Sequence, residues 1–327
     1  MKIRIGICGY GNLGRGAEAG ILQNPDMELA AVFTRRSPVS SLKINSNVPV
    51  VHIDDVADWA DKIDVMILCG GSANDLPIQA PALAKMFNTV DSFDTHAKIP
   101  EYFNSVDASA KSNNKVAIIS IGWDPGLFSI ARLYSESVLP NGRAHTFWGK
   151  GVSQGHSDAI RGVEGVLDAI QYTVPIEETV ERVKTGENVK FTPREKHNRV
   201  CFVVADDGAD KASIEKEIKE MPYYFDEYDT VVYFVSQEEL KTNHSKLMHG
   251  GQVIHSGWTG EENNHQAIIF SLKLDSNPEF TASVLLACAR AAYRLASKGD
   301  FGAKTIFDIP PILLSPKSRD DVVKELL

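Results

Sequence analysis

Three glycines in the run Gly9-Tyr10-Gly11-Asn12-Leu13-Gly14 stand between a β-like segment, Ile3-Arg4-Ile5-Gly6-Ile7-Cys8, and a helix-like segment over residues 13–23. The glycines alone are a weak signal, but a strand before them and a helix after them leave few folds open. In that setting Gly9 permits the tight bend, Gly11 lets backbone approach a pyrophosphate, and Gly14 lets helix and strand pack closely. The run reads as a dinucleotide-binding turn, with Tyr10, Asn12 and Leu13 part of it. About twenty residues on, the next strand, 29–33, ends at Thr34-Arg35-Arg36. A carboxylate there would accept from a ribose 2′-hydroxyl; guanidinium groups instead clamp a 2′-phosphate. At roughly 1.5–3 kcal/mol per charge-assisted contact, two arginines set a preference of ~100-fold or more for NADP over NAD. A solvated basic loop at a strand end is the plainer alternative.

The chain of 327 residues has room for two domains. Charged residues make up 24% and hydrophobic residues 43%, and the formal net charge is -9 without a long basic run. That balance speaks against nucleic acid as a partner. No segment approaches the ~20 apolar residues of a bilayer span, so no membrane association is expected. The start of the chain reads as strand without a signal-peptide pattern, and a cytoplasmic protein is the expectation that fits. Cys8, Cys69, Cys201 and Cys288 lie singly in apolar runs with no C-x-x-C pair, and read as buried, reduced thiols. His244, His249, His255 and His265 match no metal-ligand spacing, so no metal is expected.

Up to about residue 122, apolar strands at 64–69, 89–94 and 116–120 alternate with helical stretches, the pattern of a parallel sheet covered on both faces. Ligands bind beyond the carboxyl ends of such strands. By that rule Cys69, Gly70, Gly71, Ser72 and Ser92 join the cofactor candidates, while Asp94, Trp123 and Asp124 fall at or beyond strand ends as well. Past Trp123-Asp124-Pro125-Gly126 the sequence becomes strand-rich, at 144–148, 199–205, 228–235 and 265–274, with an amphipathic helix from Asp210 to Met221. A long helix opens at Asn277-Pro278-Glu279. The expected fold class is α/β: a Rossmann-type parallel sheet domain, plus a second α+β domain with an open mixed sheet. The boundaries read as 1–122 with 277–327 for a discontinuous dinucleotide-binding domain, and 123–276 for a substrate-binding and dimerisation domain.

Five further stretches concentrate polar chemistry: Asp91-Ser92-Phe93-Asp94, Gly122-Trp123-Asp124-Pro125-Gly126, Phe147-Trp148-Gly149, Ser153-Gln154-Gly155-His156-Ser157-Asp158 and His249-Gly250-Gly251. With the glycine turn and Thr34-Arg35-Arg36 they closely resemble the meso-diaminopimelate dehydrogenase family, over nearly the whole chain as far as Leu313-Leu314-Ser315-Pro316. The resemblance implies a homodimer that carries out NADP-dependent oxidative deamination at the D-centre of meso-2,6-diaminopimelate. The products are L-2-amino-6-oxopimelate, ammonia and NADPH, and the reverse direction serves lysine and cell-wall precursor synthesis.

Carried over by motif, Asp94 and Asp124 bind the D-centre ammonium; the carboxylate pair suits proton handling, with a bound water as the other candidate acceptor. Trp123 and Trp148 shape the wall, and Gln154, Gly155 and Asp158 line the cavity. Thr173, Arg199 and His249 hold the L-centre carboxylate, and Asn277 makes a further substrate contact. Each has a plainer reading beside it. Asp94 and Asp124 can cap helices, Trp148 can be core, Arg199 can be an exposed edge charge, and Asn277 can cap the last helix. The chain departs from the family pattern at Lys246-Leu247-Met248, where relatives carry Met-Pro, and at Gly162, where they often carry arginine. The first departure leaves the reach of His249 open, and the second suggests a looser helix after Ser157.

The rivals are an NADP-linked amino acid dehydrogenase with broader D-amino acid specificity, another Rossmann oxidoreductase such as an aspartate or homoserine dehydrogenase, and a redox-sensing regulator. The Ser-Gln-Gly-His-Ser-Asp run is foreign to the second. The third would need a nucleic-acid-binding module, for which a first strand at Ile3 leaves no room.

Overall fold

The computed structural model describes residues 2–262 and 264–327. Contact density divides the chain into two units, residues 1–130 with 278–327 and residues 131–277. The division by contact falls inside helix α4 (Leu127–Val138).

In the first unit the order is β1 (Ile3–Cys8), α1 (Asn12–Leu22), β2 (Met27–Thr34), β3 (Val50–His52), β4 (Val65–Leu68), α2 (Leu76–Leu83), β5 (Asn88–Asp91), α3 (Ile99–Ser112), β6 (Val116–Ile118) and the start of α4. The second unit runs through β7 (Gly142–Trp148), β8 (Gly151–Val152), α5 (Gln154–Arg161), β9 (Val166–Pro175), α6 (Glu177–Lys184), α7 (Pro193–Lys196), β10 (His197–Ala205), α8 (Lys211–Glu220), β11 (Asp229–Phe234), α9 (Gln237–His244), β12 (His249–Thr259) and β13 (Asn264–Leu274). The chain then returns with α10 (Asn277–Ala296), β14 (Gly302–Lys304) and α11 (Arg319–Leu326).

Seven strands form one sheet in the order β14-β6-β5-β4-β1-β2-β3, and every pairing in it is parallel. The order 3-2-1-4-5-6 is that of a doubly wound dinucleotide fold, whose switch point lies where β1 meets β4. Side-chain alternation explains why the strands read as unbroken apolar runs. Ile3, Ile5, Ile7, Val65 and Ile67 enter one core, while Cys8, Met66 and Leu68 enter the other. Helix α10 supplies much of the first core, from Ala282 to Leu295. It lies against α1 closely enough that a Cβ on Gly16 would come within 3.0 Å of the Pro278 carbonyl oxygen. Arg290, only 2% exposed, fastens this helix to the α1–β2 turn through Asp26 (2.6 and 2.8 Å) and Asn24 (2.7 Å).

Among the described residues the second unit holds the expected mixed sheet, β11-β10-β9-β8, and with it an antiparallel sheet, β13-β12-β7. The cause of the split is local. Gly149 takes φ +108 directly after β7, and a Cβ there would meet the Thr173 carbonyl oxygen at 2.1 Å. The chain therefore breaks, and β8 pairs with β9 instead. Strands β9 and β12, absent from the sequence reading, are central to these sheets. The expected helix over 210–221 is α8, capped by Asp210 on the N–H groups of Ala212 and Ser213.

Candidate active site

In the first unit the glycine turn behaves as its spacing suggests. Gly9 has φ +93, and Gly14 packs so closely that a Cβ would lie 2.3 Å from the Gly9 carbonyl oxygen. Around Gly11, by contrast, a Cβ would meet nothing within 4 Å. The protein's own packing does not require that glycine, and the open space is what an approaching ligand needs. A cavity of about 380 Å³ opens here, at the carboxyl ends of β1, β2 and β4. Its lining includes Gly9, Tyr10, Gly11, Thr34, Arg35, Arg36, Cys69, Gly70 and Gly71.

Other cofactor candidates stand back from the cavity. Asn12 accepts from Arg15, Leu13 packs on the core, and Ser92 is half-buried. The Ser72 hydroxyl accepts the Asp94 N–H at 2.9 Å. Phe33, Leu42, Ile53, Asp75 and Gln79 also line the cavity and were missed. None belongs to a motif, and only the fold gathers them. Cys69, expected to be buried, is partly exposed there, whereas Cys8, Cys201 and Cys288 are buried; all four are free.

Two buried carboxylates stiffen the cavity-bearing part of the first unit. Glu18 accepts from the Tyr10 hydroxyl and from the N–H groups of Asn45 and Ser46, fixing the turn to the segment beyond Leu42. Burial pushes its pKa up, but those donors outweigh it and hold it below the usual range. Asp91, at the end of β5, accepts from Phe93 N–H (2.9 Å), the Tyr102 hydroxyl (2.7 Å) and Ser120 N–H (3.1 Å). Its burial outweighs those same donors and raises its pKa to about 6. These bonds fix the loop that carries Asp94, which is exposed. Asp94 is not the cap of the short helix nearby, which starts after Thr95. Trp123 is buried and meets Phe128 edge-on at 5.2 Å, and Asp124 beside it is half-buried.

The second unit gathers the other candidates. Register sets Gly151 opposite Thr173 and Thr173 opposite Arg199. Arg199 is 6% exposed on a strand with neighbours on both sides, not an exposed edge charge. It donates to the Thr173 hydroxyl, and its guanidinium carbon stands 3.8 Å from the centre of the Tyr228 ring. Its Nε is buried without a hydrogen-bond partner. Among the described residues no carboxylate pairs with it, and burial lowers its pKa. His249, at the start of β12, fits because Gly151 has no side chain; a Cβ there would come within 2.5 Å of its ring. Burial, with the charge of Arg199, keeps the His249 pKa below the ordinary value.

Helix α5 places Gln154 and Gly155 at its exposed start, behind Ser153. His156 bonds the Ser153 hydroxyl at 2.7 Å and meets Tyr224 and Phe225 edge-on; burial and Arg199 lower its pKa to about 4. Asp158 is engaged by Arg161 at 2.7 Å. Trp148 is half-buried rather than core, stacked on His197 at 5.4 Å. The His197 Nε2 accepts the Trp148 N–H at 2.8 Å. His197 and Tyr228 were both missed. The signal for His197 was available: two places before Arg199 on a strand, it faces the same side. Asn277 opens α10, and its N–H donates to the Leu247 carbonyl at 2.9 Å. Among the described residues no group of three or more metal-ligating side chains is gathered.

Residues 122–276 match the family model described as the diaminopimelic acid dehydrogenase C-terminal domain. Over 326 residues the chain is 65% identical to the meso-diaminopimelate D-dehydrogenase of Ureibacillus thermosphaericus, covering 100% of this chain and 99% of that one. It belongs to the meso-diaminopimelate D-dehydrogenase family. Two solved structures agree. One is the Corynebacterium glutamicum diaminopimelate dehydrogenase in complex with diaminopimelate, with TM-score 0.93, 44% identity and coverage of 100% and 99%. The other is an engineered D-amino acid dehydrogenase bound to NADP+, with TM-score 0.88, 42% identity and full coverage of both chains.

As a member of this dehydrogenase family the chain is an oxidoreductase. The structure places both departures noted in the sequence. The Leu247 and Met248 carbonyls are held by Asn277 and Val152 N–H groups, so the backbone before His249 is fixed without proline. Gly162 lies at the C-cap of α5, not within it.

Proposed function

We propose that this chain catalyses the reversible, NADP-dependent oxidative deamination of meso-2,6-diaminopimelate at its D-centre, giving L-2-amino-6-oxopimelate, ammonia and NADPH in lysine and diaminopimelate biosynthesis. The observation that carries the reading is Arg199. A buried cation with an unpartnered Nε and no acidic partner among the described residues is costly, and a substrate carboxylate removes that cost with a two-pronged contact. Thr173 and His249 stand beside it and are assigned to the same carboxylate, with Asn277 as a further contact. Trp148, Gln154, Gly155 and Asp158 are assigned to the substrate wall.

In the first unit Asp94 and Asp124 are assigned to the D-centre ammonium, which must lose a proton before its carbon can give up hydride. Trp123 limits water there. The cavity beside Gly11 fits a dinucleotide: it has the space a Cβ would fill, two arginines for a 2′-phosphate, and in Gln79 Oε1 a buried acceptor lacking a partner. When bound, the nicotinamide supplies the hydride acceptor. Residues 1–122 with 277–327 would serve the cofactor, and 123–276 the substrate and the contact between two copies. An edge strand, β13, exposing Ile269 and Phe270 supports a homodimer. Among the described residues no helix is long and apolar enough to cross a membrane; the cytoplasm is the location proposed for the enzyme.

D-lysine is the discriminating probe, since it is meso-diaminopimelate without the L-centre carboxylate. Arg199→Met should lower kcat/KM for meso-diaminopimelate by roughly 10- to 100-fold, the loss of one charged contact, and leave D-lysine turnover unchanged or improved. Equal losses on both substrates would refute the assignment.

A further inference from the structure

The arginines of the dinucleotide cavity share it with an acid. Among the described residues that line it, the charged ones are Arg35, Arg36 and Asp75. Asp75 stands just before α2, and its carboxylate oxygens hold opposite walls. One Asp75 oxygen, Oδ1, lies 2.8 Å from an Arg35 guanidinium nitrogen, while Oδ2 accepts the Gly71 N–H at 2.8 Å. Arg35 follows the end of β2 and Gly71 follows β4, so the carboxylate spans the switch point of the sheet. Gly70 makes room for it, since a Cβ there would stand 2.8 Å from the Asp75 Cβ and 2.7 Å from the Gln79 Oε1. The Arg35 side chain is 67% exposed and that of Asp75 19%. The acid is the anchored partner and the arginine the mobile one.

An anion fixed beside the phosphate-binding cations works against a second anion. A guanidinium has five N–H donors, so Arg35 can keep Asp75 and still meet a phosphate. The carboxylate then stands near the incoming dianion and repels it, through solvent that screens the effect only in part. Arg35 and Arg36 offer two positive charges, and Asp75 reduces the net to one. We propose that Asp75 is a specificity-determining residue that tempers the 2′-phosphate subsite, cancelling part of the charge by which the arginine pair distinguishes NADP from NAD. The inference rests on the reading of Arg35 and Arg36 as the 2′-phosphate clamp.

Fragments of the cofactor separate the two ideas without turnover. Adenosine 2′,5′-bisphosphate and adenosine 5′-monophosphate are titrated calorimetrically into wild type, Asp75→Asn and Asp75→Ser; both replacements keep an acceptor for the Gly71 N–H. Wild type should bind the 2′-phosphorylated fragment more tightly, and failure there removes the clamp itself. With the clamp intact, both variants should bind that fragment about three- to fivefold more tightly at low salt, the scale of an exposed charge interaction. The gain should shrink at high salt, and 5′-monophosphate binding should stay unchanged. Unchanged or weaker binding of the 2′-phosphorylated fragment by folded variants would overturn the proposal, showing that Asp75 serves only to orient Arg35.

Discussion

At Gly151 the absence of a side chain is what seats His249. A single added methyl would fall 2.5 Å from the imidazole Cγ and 2.6 Å from the His249 Cα, closer than atoms can pack. Forcing it in costs roughly 1–3 kcal/mol where the neighbours can shift at all, and here the neighbour is a proposed substrate contact. Gly151→Ala should therefore raise the Michaelis constant for meso-diaminopimelate about tenfold while leaving that for NADP unchanged. Steady-state kinetics with each substrate varied in turn checks this, and a parallel rise for NADP would contradict it. The sequence does not mark Gly151, because a glycine between two strands looks like any turn. Arg199 was legible as a charge on a strand but ambiguous between edge and interior. Its register between β9 and β11, and its unpaired Nε, decide the matter.

Among the elements, β7, α5 and β10 share a titration. His145, His156 and His197 have pKa values lowered to about 4, about 4 and about 3, in each case chiefly by burial. Neutral His197 accepts the Trp148 N–H, and its protonation would break that bond. The unfolded chain takes up protons at these sites below about pH 6.5, while the folded chain does not until near pH 4, so stability falls as pH falls through that window. By pH 5 each site costs about 2 kcal/mol. Asp91 acts in the opposite sense: its raised pKa makes the folded state the better proton acceptor between about pH 4 and 6, returning about 1 kcal/mol. The histidines win. Urea midpoints should drop clearly between pH 7.5 and 5, and a flat or rising profile would contradict this.

Elements with one dominant pattern were legible: β1, α1, β2 and α8 all stand close to where periodicity and caps put them. Strand β9 was not, because Asp168, Gln171 and Thr173 interrupt its apolar run. Strand β12 was hidden by Gly250 and Gly251, which read as loop. Their φ values of +153 and +157 and close approach to β13 and β7 are what glycine permits inside a sheet.

For the molecule as a whole, the strand order of the first unit follows from connections that no local pattern encodes, whereas the return of the last long helix to that unit was already an expectation from the sequence. The nucleotide turn and the arginine pair were readable because their chemistry is local and their order in the chain is fixed. Asp75, Gln79 and Tyr228 were not, because each matters only through a neighbour brought to it by folding. Catalysis is a property of the entire chain, and stereochemistry is its most direct readout. Purified protein with NADP is offered the meso and LL isomers of diaminopimelate in turn, and NADPH absorbance is followed at alkaline pH. NADPH should accumulate with the meso isomer and not with the LL isomer, which has no D-centre. No NADPH with the meso isomer, or equal rates with both isomers, would contradict the account.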